Sequence, residues 1–301
     1  MTRACPVLQY SLVLLCCGYM LGAAAAEEPS NPPLHLNMGL YYPALNDFID
    51  RKDIAISLQF WLQELTKANG IDVSVVHLYD NILEMRDDFT ARKIDLFVSP
   101  PLAIVKYFDL SLLADGFYGI REDGKQNSLL LLANSEQVAD IQDIIGKRLE
   151  IPFGNELAEV FLETITLKTF KKKYQQLFSE ISKQRKMNRM ILDLFFKRTD
   201  VALVYESSYD VMVELNPQIK SRIKILRSYP LRSKNFSYFH RDYPFRKSLV
   251  KQAVLLGSYP RGRQILDIYQ TAEIGICQTQ ELNVFIKLYR QYLNLQRKAN
   301  H

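Results

Sequence analysis

The residues of this chain whose types could do chemistry are mostly aromatic or small polar residues that follow predicted strands. A tyrosine in such a place offers apolar contact area at a low entropic cost, and its hydroxyl group can orient a ligand. Strand ends also pack against neighbouring domains, so a purely structural role is the alternative for each residue. The candidate ligand-binding residues are Tyr41, Tyr42, Tyr79, Ser99, Tyr118, Phe153, Asn155, Tyr205 and Glu206.

Catalytic motifs are absent from the sequence. It contains no G-x-S-x-G, H-E-x-x-H, Walker or G-x-G-x-x-G pattern, and its four histidines are scattered. Catalytic groups can also come together only in the fold, which leaves an exported enzyme as a minor alternative. The sequence favours a binding protein that is not an enzyme and that needs no metal or cofactor.

Two similar stretches indicate where a ligand would bind. Residues 93–102 and 199–207 each place a charged residue before an apolar run that stops abruptly, at Ser99-Pro100 and at Tyr205-Glu206. Such runs are typical of buried strands in parallel sheets. Ligands bind at the carboxyl ends of these strands, because loop backbone and helix N-termini converge there. We therefore expect a cleft between two domains.

The composition fits a globular protein of two domains. The chain has 301 residues, of which 48% are hydrophobic and 24% are charged, which suffices for two domains of about 100 to 150 residues each. The net charge of +5 is too small to indicate nucleic-acid binding. Cys5, Cys16 and Cys17 fall in a predicted targeting segment, so a disulfide framework is excluded. We interpret Cys277 as a small buried residue rather than a nucleophile.

The first 26 residues have the pattern of a secretory signal peptide. Arg3 precedes an apolar stretch that is too short to span a membrane, and small residues follow up to Ala26. We expect cleavage after Ala26 and export to the periplasm. Lipidation at Cys16 or Cys17 is the less favoured alternative, because the residue before each is not small. Residues 27–33 are expected to form a leader into the fold.

The remaining chain predicts an α/β protein whose first five elements alternate strand and helix, which requires parallel pairing. Strands are expected at 34–40, 73–78, 128–133, 148–152, 223–226 and 236–239, and helices at 54–69, 82–92, 187–197, 244–256 and 281–297, with a long helix from residue 157. We predict that lobe one comprises residues 34–130 and 227–301, and that lobe two comprises residues 131–226.

The order of these parts resembles the phosphonate-binding branch of the periplasmic solute-binding proteins. The resemblance rests on the predicted export signal, the strand end at 94–101, the strand at 129–133, and residues 140–149 and 199–202. It implies the type II periplasmic-binding-protein fold, in which two lobes with mixed, mainly parallel sheets flanked by helices close on a ligand by hinge motion. It also implies delivery of that ligand to an ABC transporter.

Two departures from the family pattern bear on the ligand. Glu156 and Glu159 occupy a turn where phosphonate binders commonly place hydroxyl donors, and Met187 aligns near a family histidine. Like charges at this turn would disfavour a phosphonate dianion. We therefore expect a larger, less charged organic ligand, with an apolar or lipid-like molecule among the possibilities.

The sequence leaves two roles open for such a protein. It would capture a small molecule for the membrane permease of an ABC transporter, or it would present its ligand state to a membrane sensor protein such as a kinase or cyclase. In either role we expect a monomer.

Overall fold

The computed structural model describes residues 34–41, 43, 51–67, 69–71, 73–121, 127–268 and 271–299. The predicted signal peptide (1–26), the leader (27–33) and Tyr42 lie outside the described residues. Within the described part, no helix is long and apolar enough to cross a membrane.

The strands are β1 (His35–Leu40), β2 (Val73–Leu78), β3 (Leu96–Ser99), β4 (Leu113–Ala114), β5 (Gly116–Arg121), β6 (Leu129–Asn134), β7 (Arg148–Pro152), β8 (Glu180–Gln184), β9 (Val201–Tyr205), β10 (Ile223–Tyr229), β11 (Phe236–His240) and β12 (Thr271–Cys277). The helices are α1 (Arg51–Lys67), α2 (Ile82–Thr90), α3 (Pro101–Tyr107), α4 (Glu156–Phe170), α5 (Met187–Phe195), α6 (Glu206–Leu215), α7 (Gln218–Arg222), α8 (Arg246–Leu255), α9 (Pro260–Ile268) and α10 (Asn283–Ala299).

The first sheet has the strand order β2-β1-β3-β11-β4. β1 is parallel to β2 and β3, as the alternation of strands and helices predicts, and β11 is antiparallel to β3 and β4. Its two faces are buried by different groups of side chains: Phe97 contributes to one core cluster, and Leu36, Met38 and Leu96 contribute to a second. The sheet is therefore covered on both sides, which explains why β3 is apolar from Leu96 to Val98.

The second sheet has the strand order β10-β6-β9-β7-β8. β7 is parallel to β8 and β9, while β6 is antiparallel to β9 and β10. Every residue of β6 and β9 is buried, as expected for inner strands that the sequence marks by mainly apolar runs. The predicted mixed sheets flanked by helices are confirmed.

A separate two-stranded sheet pairs β5 with β12 in antiparallel register. The sequence patterns do not predict β5, β8 or β12. β5 lies against β11 so closely that a Cβ atom on Gly116 would meet the Ser237 carbonyl oxygen at 2.1 Å. The Ser237 hydroxyl group fixes this approach, because it accepts a hydrogen bond from the Phe117 amide at 3.0 Å and donates one to the Phe117 carbonyl at 2.5 Å.

In chain order, β4 of the first sheet precedes β6 of the second sheet, and β10 of the second sheet precedes β11 of the first. The exact lobe boundaries at 130/131 and 226/227 stay a prediction. The last helix, α10, packs on two helices. One is α4, which follows β7 of the second sheet, and the other is α3, which follows β3 of the first sheet. The buried α10 residues Phe285 and Leu288 belong to the largest core cluster, together with side chains from both sheets.

Candidate functional site

The carboxyl ends of five strands from both sheets surround a cavity of about 470 Å³, which we call the first cavity. The first sheet contributes Tyr41 after β1 and Pro100 after β3. The second sheet contributes Pro152 at the end of β7, Arg185 after β8 and Tyr205 at the end of β9. The other lining residues are Pro43, Pro101, Leu102, Ala103, Phe153, Gly154, Asn155, Glu156, Leu157, Lys186, Met187, Asn188, Arg189, Ser208 and Lys234. A volume of this size is typical of sites for small organic ligands.

Asn155 and Tyr205, both predicted site residues, meet on the wall of the first cavity. The Asn155 side-chain amide donates a hydrogen bond to the Tyr205 hydroxyl at 2.8 Å, while its oxygen accepts one from the Ala158 amide at 3.1 Å and caps α4. The Lys234 ammonium group lies 4.7 Å from the centre of the Tyr205 ring. These contacts hold Tyr205 rigidly beside a cation.

Phe153, another predicted residue, lies on the turn between β7 and α4. Gly154 follows it with a φ of +65°, a left-handed conformation that favours glycine. The Phe153 side chain is 45% exposed, and the Arg185 guanidinium group lies 4.6 Å from its ring centre. The turn therefore presents an aromatic ring stacked with a second cation at the cavity wall.

Four cations on this wall were missed by sequence reasoning. Arg185, Lys186, Arg189 and Lys234 line the first cavity, and Arg189 also pairs with Asp193 at 3.5 Å. Three of them lie at the beginning of α5, which starts without a side-chain cap. A helix N-terminus carries a partial positive charge, so this corner favours an anionic group. The sequence signal that could have revealed these cations is the basic run at residues 183–186, just before the helix predicted to start at Met187.

The two carboxylates expected to repel an anion are each paired with a lysine. Glu156 forms an ion pair with Lys106 of α3, and Glu159 forms one with Lys183 at 2.6 Å. Glu156 is the one carboxylate among the described lining residues of the first cavity. Burial, and then the negative charge of Glu156, raise the pKa of the Tyr41 hydroxyl, so this tyrosine stays protonated. Positive charge therefore dominates the wall.

The other predicted site residues lie away from this wall. The Tyr79 hydroxyl donates to Asp88 at 2.8 Å, and a Glu206 carboxylate oxygen accepts from the Ser128 amide at 3.2 Å. Ser99 is completely buried next to Pro100, and its hydroxyl has no hydrogen-bond partner among the described residues. Tyr118 lines a second cavity, of about 910 Å³. The roles of these four residues, and of Tyr42, in ligand binding stay predictions.

Two kinds of reactive group, metal ligands and a cysteine thiol, bear on the chemistry of the described residues. No group of three or more His, Cys, Asp or Glu side chains there could hold a metal ion. Cys277 is buried, as predicted. Its sulfur donates to the Tyr238 hydroxyl at 3.1 Å, and burial raises the pKa of the thiol to about 12. The thiolate that nucleophilic chemistry requires is therefore disfavoured at this position.

A sequence model of a known family matches residues 49–276, which is more than half of the chain. Its description is ABC transporter, phosphonate, periplasmic substrate-binding protein. The chain belongs to this family. The family's members are exported proteins that bind small-molecule solutes, work with ABC transporter permeases and are not catalytic. No curated protein sequence matches the chain.

Solved structures of other bacterial proteins share the fold of this chain at low sequence identity. XAC2383 from Xanthomonas citri, bound to ATP, has a TM-score of 0.64 and 10% identity over 87% of this chain and 98% of its own. PhnD1 from Prochlorococcus marinus, in complex with methylphosphonate, has a TM-score of 0.60 and 15% identity over 87% of this chain and 99% of its own. A binding protein component of an ABC phosphonate transporter from Pseudomonas aeruginosa has a TM-score of 0.60 and 12% identity over 89% of each chain. The fold is the two-lobed type II periplasmic-binding-protein fold.

Proposed function

We propose that this protein captures a small organic anion in the first cavity, between its two lobes, and delivers it to the permease of an ABC transporter. The observation that carries the proposal is the beginning of α5, where Arg185, Lys186 and Arg189 meet a helix N-terminus without a side-chain cap. An anionic group there gains both from the cations and from the helix dipole. Two relatives support this chemistry, since they were solved with methylphosphonate and with ATP, which are both anions.

The proposed ligand is larger than a simple phosphonate and has an apolar or lipid-like part. Apart from its cations, the first cavity is lined largely by apolar and aromatic side chains such as Pro101, Leu102, Phe153 and Leu157. A cavity of about 470 Å³ has room for more than one small anionic group. The mixture of cations and apolar surface fits a molecule with one charged end.

The transport role also implies a location and a motion. We propose a periplasmic monomer whose signal peptide is cleaved near Ala26 and whose lobes, at residues 34–130 with 227–301 and at residues 131–226, close on the ligand by a hinge. A ligand that contacts both lobes binds the closed form better than the open form, and this difference drives closure. No observation favours the alternative role as a partner of a membrane sensor.

Native mass spectrometry of the protein purified from the periplasm of its own cells would test the proposal. We expect an adduct whose mass identifies an organic anion, and we expect the same compound to raise the melting temperature of the protein after the adduct is removed. A neutral or cationic adduct, or a broad panel of organic anions that leaves the melting temperature unchanged, would contradict the proposed ligand chemistry.

A further inference from the structure

A second cavity, of about 910 Å³, is lined in part by residues between the strands of the two sheets, among them Asn127, Ser233 and Asn235. One end of it is apolar and borders the core on the α1 face of the first sheet, where Leu58, Trp61, Phe117, Leu266 and Ile274 line it. The Trp61 and Phe117 rings lie 5.2 Å apart. The cavity therefore offers an aromatic and aliphatic wall to whatever enters it.

The two cavities share three lining residues, so they are neighbours. Asn188 at the start of α5, Ser208 at the start of α6 and Lys234 line both the first cavity and the second. Lys234 thus lies at the boundary, with Tyr205 on the side of the first cavity. A molecule whose charged end is held beside α5 therefore lies next to residues that also line the second cavity.

The polar end of the second cavity contains unsatisfied hydrogen-bonding groups. The Ser207 hydroxyl and the Asn235 side-chain oxygen are buried, and neither has a hydrogen-bond partner among the described residues. Burying a polar atom without a hydrogen bond costs free energy, and most buried polar atoms in proteins have a hydrogen-bond partner. A ligand in the second cavity could supply that partner. Both residues lie on the cavity wall next in sequence to the boundary residues Ser208 and Lys234.

We infer that the second cavity holds the apolar chain of an amphipathic anion whose charged group occupies the first cavity. This inference rests on the proposed function, because it takes the anionic group in the first cavity as its starting point. The order of surfaces supports it: cations at α5, then the polar boundary at Asn188, Ser208 and Lys234, then the apolar wall around Trp61. A linear amphipathic molecule presents the same order of chemical groups.

Trp61 is the single tryptophan of the chain, and it reports on the second cavity directly. Methyl-, butyl- and octylphosphonate, with acetate, butyrate and octanoate as a carboxylate series, would be titrated while tryptophan emission and affinity are measured. We expect affinity to rise about fourfold for each methylene group that enters the second cavity. We expect the long members of a series to change the Trp61 emission and the shortest members to leave it unchanged.

A matched pair of substitutions separates the second cavity from the first. Val211 lines the second cavity, lies on α6 and is 47% exposed, whereas Val254 lies on α8, lines neither cavity and is 40% exposed. Val211→Phe narrows the second cavity without adding a tryptophan. We expect it to remove most of the affinity gain of the octyl compounds while leaving the short compounds unchanged. Val254→Phe should bind the whole series as the unaltered protein does.

The possible outcomes separate the two proposals. If short anions bind but affinity does not grow with chain length and Trp61 emission stays constant, the second cavity has no role in binding the ligand, although the anion site in the first cavity stands. If Val211→Phe and Val254→Phe behave alike towards octylphosphonate and octanoate, the chain lies elsewhere and the inference fails. If neither series binds at any length, an amphipathic anion is the wrong class and both proposals are overturned.

Discussion

The two halves of the first cavity are built alike but present different chemistry. In each half a strand leads within a few residues into the first turn of a helix, β3 into α3 in the first sheet and β8 into α5 in the second. The first half is apolar, with Pro100, Pro101, Leu102 and Ala103, while the second half carries three of the four cations. One half therefore gives shape to the cavity, and the other gives it charge.

The difference follows from which residues begin the helices. Proline has no backbone N–H group, so Pro100 and Pro101 remove donors from the start of α3. In contrast, α5 begins at Met187 after Lys186 and has no side-chain cap, so no capping side chain lies between its dipole and the cations. A helix start on a strand end is thus not by itself an anion site, because its first residues decide what it can bind.

The largest loss of anion affinity should come from reversing one positive charge in the second half of the first cavity. Lys186→Glu places a carboxylate at the start of α5, and we expect the affinity for octylphosphonate or any bound organic anion to fall about 10- to 100-fold. Lys247→Glu is the control, because Lys247 is likewise an exposed lysine at the start of a helix, α8, but lines neither cavity. Calorimetric titration measures both. Equal affinities for the two variants would mean that α5 does not hold the anion.

The charged half also buries an acid, and this makes the stability of the protein depend on pH. Glu150 of β7 is 8% exposed. Burial, and then the charge of Asp193, raise the pKa of the Glu150 carboxyl to about 7, although the Arg189 charge acts in the opposite direction. Because the folded state binds this proton more tightly than the unfolded state, its contribution to stability is present below about pH 4.5 and is lost as the pH rises through 7.

Glu150→Gln should therefore be more stable than the unaltered protein at pH 8, by about 1 to 3 kcal/mol, and similar to it at pH 5. Urea unfolding at the two pH values gives the comparison. Glu180→Gln on the neighbouring strand β8 is the control, because Glu180 is exposed and its replacement should change little at either pH. A Glu150→Gln protein that is less stable at pH 8 would show that the carboxylate, rather than its protonated form, is the favoured state in the fold.

Most of the fold could be predicted from local patterns. Strands β6 and β9 are short, mainly apolar runs in the sequence, because burial on both faces leaves little room for polar residues. The same logic placed Tyr41, Phe153, Asn155 and Tyr205 at strand ends, and all four line the first cavity. These positions follow from the chain's own sequence, since a strand end lies where its apolar run stops.

The charge of the cavity could not be predicted in this way. β8 has exposed and half-buried residues throughout, so it lacks an apolar pattern, and the cations after it were not assigned to a strand end. The pairing of Glu156 and Glu159 with lysines could not be predicted either, for a different reason. Their partners Lys106 and Lys183 are 50 and 24 residues away in sequence, and only the tertiary fold brings these pairs together. β5 and β12 were missed because glycines interrupt them and their pairing is long-range.

A smaller effect is expected at the ion pair that joins the two halves. Lys106→Met leaves the Glu156 carboxylate without its lysine at the wall of the first cavity. We expect anion affinity to fall about two- to fivefold, because this carboxylate is partly exposed and its charge is screened by water. Lys183→Met is the matched control: it leaves Glu159 without its partner, and Glu159 does not line the cavity. Both variants should lose similar stability, but only Lys106→Met should lose affinity.

The smallest effect concerns the first half, whose strand end carries one unsatisfied hydroxyl group. Ser99→Ala removes an oxygen that is buried without a hydrogen-bond partner among the described residues. We expect the ligand-free protein to become slightly more stable, by less than about 1 kcal/mol, because no hydrogen bond is lost and a desolvated polar group disappears. Ser237→Ala is the contrasting variant, since the Ser237 hydroxyl bonds to both backbone groups of Phe117. It should destabilise the protein by about 1 to 3 kcal/mol.

Chemical unfolding of both serine variants, with and without octylphosphonate, measures their stability and their gain in stability from the bound anion. If the first half supplies only shape, Ser99→Ala should bind octylphosphonate as well as the unaltered protein does. A loss of affinity in Ser99→Ala without a loss of stability would show instead that the ligand is the missing partner of this hydroxyl, as its position at the end of β3 predicts. Equal destabilisation by Ser99→Ala and Ser237→Ala would mean that the Ser99 hydroxyl already has a partner in the ligand-free protein.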